Sequence, residues 1–221
     1  GGGRYKSMNK KVILLMSLMV LVGFGVFVIA QENRAAVQLS KGWNLVPGFT
    51  SVSQIYGDDL HASNIKAIYA YVAPAQQYVR MYPKPEVDKL RSLISTYNFD
   101  DDIIAASALW VYSDRDGALG YNFDIGRPLF ENIPIYKGWN FVPITPEMIG
   151  KHLQDIKGNC DITKVAVWLP ESQEWDSKSG FLNLYFDNKN LEWRGVVIKV
   201  SNNCNLGTSS GVNIPSVPSL P

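Results

Sequence analysis

The sequence predicts an α+β fold of two tandem related modules, built mainly of antiparallel strands with short helices packed on them. Three observations predict it. Lys41-Gly42-Trp43-Asn44-Leu45-Val46-Pro47 returns as Lys137-Gly138-Trp139-Asn140-Phe141-Val142-Pro143, an offset of 96 with one conservative change. Two further apolar segments recur in the same order after each copy. Helix-start signals and 3.6-residue apolar spacing fall between these segments.

Taken in order, each heptapeptide follows an alternating stretch, Val37–Ser40 or Ile133–Tyr136. Lys-Gly then offers a bend, and the pattern reads as a β-hairpin. Ile68-Tyr69-Ala70-Tyr71-Val72 answers to Val165-Ala166-Val167-Trp168-Leu169. Each has a proline close behind it (Pro74, Pro170), then a polar turn and an aromatic (Tyr78, Trp175). Ala108–Ser113 aligns with Val196–Ser201 as the closing strand. Thr145-Pro146-Glu147 is a helix start, with Met148, Ile149, Leu153 and Ile156 on one face. Ser51–Leu60 is its weaker counterpart. Pro85–Tyr97 reads as a further helix with Val87, Leu90, Ile94 and Tyr97 inward. The aromatic stretch Phe181–Phe186 takes that place in the second copy. The modules run over 35–125 and 130–207, and 208–221 is a disordered Ser/Pro tail.

Composition narrows the function. Of 221 residues, 46% are hydrophobic and 12% aromatic, which suffices for packed cores and excludes wholesale disorder. Residues 1–30 hold Arg4, Lys6, Lys10 and Lys11 and no acid. The rest therefore carries 17 basic against 20 acidic side chains, a net −3. A weakly acidic body without a basic run argues against a nucleic-acid partner.

Residues 1–30 read as a cytoplasmic stub followed by a signal peptide or a membrane anchor. Met8-Asn9-Lys10-Lys11 precedes the uncharged run Val12–Ala30. Lysines before an apolar run hold the amino terminus inside, so the remainder is extracytoplasmic, either secreted or membrane-anchored. Nineteen apolar residues suit a spanning helix. Ala30-Gln31 suits cleavage. If uncleaved, residues 12–30 make the membrane a partner. In an exported chain, Cys160 and Cys204, each beside a predicted strand, are expected to form a disulfide.

The Gly-Trp-Asn-Leu-Val element, the Ile-Tyr-x-Tyr strand and the closing strand with its aromatic resemble small β-rich modules of exported and cell-surface bacterial and archaeal proteins, often found in tandem. The resemblance covers nearly all of 35–207. It implies a structural or binding role outside the cell and carries over no catalytic residue and no ligand.

Trp43 and Trp139, with Asn44 and Asn140, are expected as structural core, the asparagines tying nearby backbone. The less repeated aromatics are the candidate ligand contacts. These are Tyr69, Tyr71, Tyr78, Trp168 and Trp175 above all, with Tyr82, Tyr185 and Trp193 also in the set. Asp100–Asp102 and Asp114-Arg115-Asp116-Gly117 lack the rest of a calcium loop and read as polar turns. His61 and His152 occupy different places in the two copies. No nucleophile elbow, zinc motif or phosphate loop is present, so no catalytic residue, metal or cofactor is expected. Glu171, Glu174 and Asp176 are the sole material for a hydrolase reading. The expected function is that of a non-catalytic envelope or surface protein serving structure or protein contact. The alternatives are carbohydrate binding through exposed Tyr and Trp and, more weakly, hydrolysis. The expected partners are envelope proteins or polysaccharide.

Overall fold

The structure, a computed structural model, describes residues 34–48, 55–56, 64–100, 102–122, 131, 133–177, 183–186 and 191–207. The apolar run 12–30, residues 208–221 and most of Ser51–Leu60 lie outside them. Among the described residues no helix is long and apolar enough to cross a membrane.

The fold is mostly β, with antiparallel sheets and few short helices. The first half contains β1 (Arg34–Leu39), β2 (Gly42–Pro47), β3 (Ile55–Tyr56), β4 (Ile65–Val72), β5 (Gln77–Tyr82), α1 (Val87–Tyr97), α2 (Asp102–Ala106), β6 (Ala108–Ser113) and β7 (Gly117–Asn122). The second contains β8 (Pro134–Ile135), β9 (Gly138–Pro143), α3 (Leu153–Ile156), β10 (Ile162–Leu169), β11 (Glu174–Asp176), β12 (Gly195–Val200) and β13 (Cys204–Asn205). One four-stranded sheet has the order β2-β6-β4-β5, and the other, read from its β9 edge, has β9-β12-β10-β11. The two orders match strand for strand.

Four expectations change. First, Lys-Gly does not turn a hairpin. β1 pairs with β7 and β2 pairs with β6, so the Ser40-Lys41 bend is a corner where the chain passes from a small sheet to a large one. β8 and β9 turn the same corner against β13 and β12. Alternation identifies strands but not their partners. Second, the closing strands shift by one. Pro47 faces Ala108 while Pro143 faces Gly195, so Val197 and Lys199 stand where Trp110 and Tyr112 do.

Third, the helix expected from Thr145 is a 3₁₀ turn at Pro146–Met148 followed by α3. Gly150, at φ +81°, breaks it, yet Met148, Leu153 and Ile156 are still buried. Fourth, α1 buries Leu93 and packs Leu90 and Ile94 on the first core, while Val87 and Tyr97 remain exposed. Within Ser51–Leu60, Ile55–Tyr56 is strand, paired with β7.

Each large sheet has two covered faces. On β2, Val46 enters the first core, with Ile68, Val79, Leu109 and Val111, and the buried Asn44 shares its parity. On β9, Val142 enters the second, with Ile144, Met148, Ile156 and Ile198. The alternate residues Leu45 and Phe141 meet in a third cluster between the sheets, with Tyr71, Ala108, Trp168 and Val197. Trp43 and Trp139 belong to this interface. They are half-buried, pack against this third cluster and lie on the face away from their own half's core. The halves also trade contacts at the segments just before β6 and β12. Trp193 is buried in the first core, and Ala106 packs on the second. Cys160 and Cys204 form a disulfide, with Cα atoms 5.1 Å apart, next to the second corner.

Candidate functional site

The site lies between the two sheets, and the repeated heptapeptide builds it. At each corner the asparagine closes the bend. Asn44 Oδ1 accepts from Ser40 N–H at 2.9 Å, and its amide donates to the Ser40 and Gly42 carbonyls at 2.8 and 3.1 Å. Asn140 repeats this on Tyr136 and Gly138 at 2.8, 2.7 and 3.1 Å. Asp116 accepts from Lys41 N–H at 2.8 Å, and Asn203 does so from Lys137 N–H. Asp114 pairs with Lys66 at 3.1 Å, so these aspartates serve the corner and its surroundings.

The glycine and the tryptophan backbone serve the opposite half. Gln173, in the turn between β10 and β11, accepts from Trp43 N–H at 2.7 Å. Its amide donates to the Trp43 carbonyl at 2.9 Å and to the Pro170 carbonyl at 2.7 Å. Gln76, in the turn between β4 and β5, does the same to Trp139 at 2.7 and 2.9 Å and to Ala73. Gly42 and Gly138 sit at φ +105° and +100°, which favours glycine. A Cβ on either would lie 2.4 Å from the glutamine oxygen of the other half. Both glutamines themselves occupy left-handed backbone, at φ +53° and +58°. The Lys-Gly-Trp-Asn motif is thus a corner that receives a glutamine from the facing unit.

These reciprocal clasps bring the aromatic side chains together. Trp43 meets Tyr112, Trp110 and Tyr69 with ring centroids 5.2, 6.0 and 6.1 Å apart. Trp110 meets Trp168 and Trp175 edge-on at 5.0 and 5.6 Å, and Trp168 meets Trp175 at 5.1 Å. Such edge contacts add about 0.5–1.5 kcal/mol each beyond burial. The Trp168 indole N–H donates to the Trp43 carbonyl at 2.8 Å, tying the cluster to the clasp.

An open groove of about 410 Å³ runs along this cluster, lined by Trp43, Tyr69, Tyr78, Trp110, Trp168 and Trp175. Every described lining residue is aromatic, and both halves contribute. A second groove, of about 600 Å³, shares Tyr78 and Trp175 and includes Tyr71, Trp139, Phe141 and Gln76. There Ala166 and Val197 stand where Tyr69 and Trp110 line the first, and Lys199 lies over Trp139 at 5.8 Å. The two grooves are counterparts of unequal aromatic content.

Of the candidate contacts, Tyr78 and Trp175 are 45% and 41% exposed on the groove walls, Tyr69 is half-buried, and Trp168 and Tyr71 are each 9% exposed. Tyr71 donates its hydroxyl to Gln76 at 3.0 Å. Burial, with Tyr78 adding, pushes its ionisation up to about pH 12. Burial also raises Tyr78, against the pull of a hydrogen bond with Trp110. Tyr82, Tyr185 and Trp193 lie elsewhere. Tyr82 packs on the first core, Tyr185 stacks on His152 at 4.7 Å, and Trp193 is buried.

Gln76, Gln173 and Trp110 escaped the sequence reading as site residues. The signal was an identical glutamine two places before the equivalent aromatics Tyr78 and Trp175. Glu171 is held by Arg194 through two hydrogen bonds of 2.6 and 3.1 Å, which lower its carboxyl below the usual range. Glu174 and Asp176 flank Trp175 on β11. Among the described residues no group of His, Cys, Asp and Glu is placed to hold a metal. No family model matches the chain, and neither the curated proteins nor the solved structures give a match.

Proposed function

We propose that this is an exported, non-catalytic recognition protein of the cell envelope. It arose by tandem duplication of one sheet-forming unit, and its two copies dock face to face to make a composite binding groove. The membrane-directing amino-terminal sequence and the Cys160–Cys204 disulfide support an extracytoplasmic place, membrane-anchored or secreted. The matching strand orders and the mirrored glutamine clasps support the duplication.

The observation that carries the binding role is the groove lined by aromatic residues from both halves. Tyrosine and tryptophan dominate recognition surfaces, and an aromatic groove with Trp175 and Tyr78 exposed on its walls marks an interaction site. The lining favours a protein segment over a polysaccharide. A sugar presents a hydroxyl on nearly every carbon and needs polar partners to replace water. Here Trp168 already spends its N–H on Trp43, and Trp110 hydrogen-bonds Tyr78. Exposed Trp175 and Tyr78 remain the rings on which a sugar face would stack, which keeps carbohydrate binding as the second reading.

The test is a titration of the full chain, following indole emission, with extended apolar peptides and with soluble envelope polysaccharides. Peptide binding that Trp175→Ala weakens by about 30-fold, the hot-spot range, supports protein recognition. Polysaccharide binding with the same sensitivity would shift the assignment to carbohydrate. No response from any ligand class would contradict the groove as a binding site.

A further inference from the structure

The two grooves are joined, because Tyr78 and Trp175 line both. The duplication allows their far ends to be compared. In the first half Trp43 faces Tyr112 on β6, and Tyr112 faces Ala67 on β4. In the second half Trp139 faces Lys199 on β12, and Lys199 faces Lys164 on β10. Each row follows a register shift, between Ile65 and Ala67 or between Ile162 and Lys164, so strand and position correspond. Where one unit has a ring and a methyl group, the other has two ammonium groups.

These lysines belong to the groove face. Lys199 and Lys164 stand two residues from Val197 and Ala166, which line the second groove with Trp139, and so share their side of the sheet. Like charges directly opposed on one face destabilise a sheet. Among the described residues neither ammonium has a carboxylate in ion-pair range. Lys199 has the Trp139 ring, 5.8 Å from Nζ to its centroid, and Lys164 is exposed. The pair therefore works against the fold and leaves its donors open.

We propose that the joined grooves bind an extended peptide segment that carries a carboxylate, with its apolar side chains on the rings of the first groove and the carboxylate between Lys164 and Lys199. This rests on reading the groove as a site for a protein segment, and it adds what that segment must carry. An ammonium offers three donors and a carboxylate accepts without donating, so the two match, and charge-assisted hydrogen bonds are the stronger kind. These donors are open, unlike the Trp168 N–H, which is spent on the Trp43 carbonyl. Trp168 stands beside Trp175, and Lys164 precedes Trp168 by four residues on β10. That is about 13 Å of strand, which an extended ligand covers in about four residues. The acid is thus expected about four positions from the side chain packed on Trp175. One cationic end on an aromatic track suits a peptide, which can join an apolar stretch to a single acid. An acidic polysaccharide carries charge along its whole length, and no described lining residue of the first groove is charged.

The test selects short random peptides, displayed on phage, on the disulfide-intact full chain and then titrates the strongest binder. That peptide is expected to hold Asp or Glu about four positions from an apolar residue. The double variant Lys164→Gln, Lys199→Gln should bind it about tenfold more weakly. Replacing the peptide's acids by their amides should weaken binding to the wild-type chain by the same factor. Combining the two changes should cost little more than either alone, because each removes the same contact. Without peptide, Lys164→Gln should leave Tm unchanged or raise it, since the opposed charges are relieved. A fall in Tm would make the lysines structural and overturn the proposal. A strongest binder that needs Trp175 but carries no acid, or ignores both lysines, would also overturn it while leaving the groove a peptide site. Lysine-dependent binding of polygalacturonate with no peptide binder would overturn it in favour of an acidic polysaccharide. Binding by neither would contradict the reading of the groove itself.

Discussion

Replacing Gln173 by alanine removes a side chain that touches the first half through the Trp43 backbone. Three hydrogen bonds go: from Trp43 N–H, to the Trp43 carbonyl, and to the Pro170 carbonyl. The Trp43 carbonyl keeps the Trp168 indole N–H at 2.8 Å, so the group left orphaned on the first half is the Trp43 N–H. A hydrogen bond contributes about 0.5–1.5 kcal/mol net, and an unsatisfied donor costs about 1–3 kcal/mol when buried. The site is half-buried, so water recovers part of this. The expected loss is about 2 kcal/mol, or about 4–8 °C in Tm for a body of this size. Urea denaturation of the purified, disulfide-intact chain measures it, with Ser172→Ala as the neighbouring control. A loss under about 0.5 kcal/mol would refute the claim that the clasp holds the halves together.

Gln173→Glu sharpens the test. The carboxylate keeps the acceptor for Trp43 N–H but turns a donor into an acceptor facing the Trp43 carbonyl. Protonation restores the donor, so the folded-state pKa of that glutamate lies above its unfolded value. The deficit should therefore shrink as pH falls below the usual carboxylate range and grow as pH rises through the folded pKa. A pH-independent deficit would contradict the clasp geometry.

Four further outcomes follow from the same contacts. Asn44→Ala and Asn140→Ala each remove three corner hydrogen bonds from a 2% exposed site. Each should cost about 2–3 kcal/mol in urea denaturation, and equally, because the corners match. Gly195→Ala places a Cβ 2.2 Å from Leu45 Cγ and 3.0 Å from Ala108 Cβ where β12 meets the first half. A Tm drop corresponding to about 2 kcal/mol or more is expected from this overpacking. Reduction of Cys160–Cys204, which closes a 44-residue separation, should lower stability by about 4 kcal/mol in the chain-entropy picture, read from denaturation with and without reductant. Tyr71 is neutral in the fold up to about pH 12 but ionises near pH 10 when unfolded. Stability should therefore fall as pH rises from about 10 toward 12, and Tyr71→Phe should flatten that fall.

The repeated heptapeptide was legible because six of its seven residues are identical, and its glycine, tryptophan backbone and asparagine make the same contacts in both copies. The strands of each sheet were legible from alternation. Their partners were not, since a corner between two sheets and a hairpin leave the same pattern in Val37–Val46. Alternation also separated Trp43 and Leu45 from Asn44 and Val46 without saying which pair faces the unit's own core. Both faces of this sheet are covered, one by its own half and one by the other. The closing strands were misaligned by one because hydropathy carries no register when Val197 and Lys199 replace Trp110 and Tyr112. Gln76 and Gln173 were overlooked because a glutamine in a polar turn looks solvated. Only the facing unit, with its Cβ-free glycine, gives that amide a partner.

The face-to-face docking of the two copies, on which the groove depends, is tested most directly by a nuclear Overhauser spectrum of the labelled full chain. The account predicts cross-peaks from the Gln173 side-chain amide protons to the Trp43 backbone amide proton, and from those of Gln76 to that of Trp139, since the hydrogen-bonded pairs lie 2.7–2.9 Å apart. Absence of both cross-peaks, with the two halves tumbling independently, would contradict it.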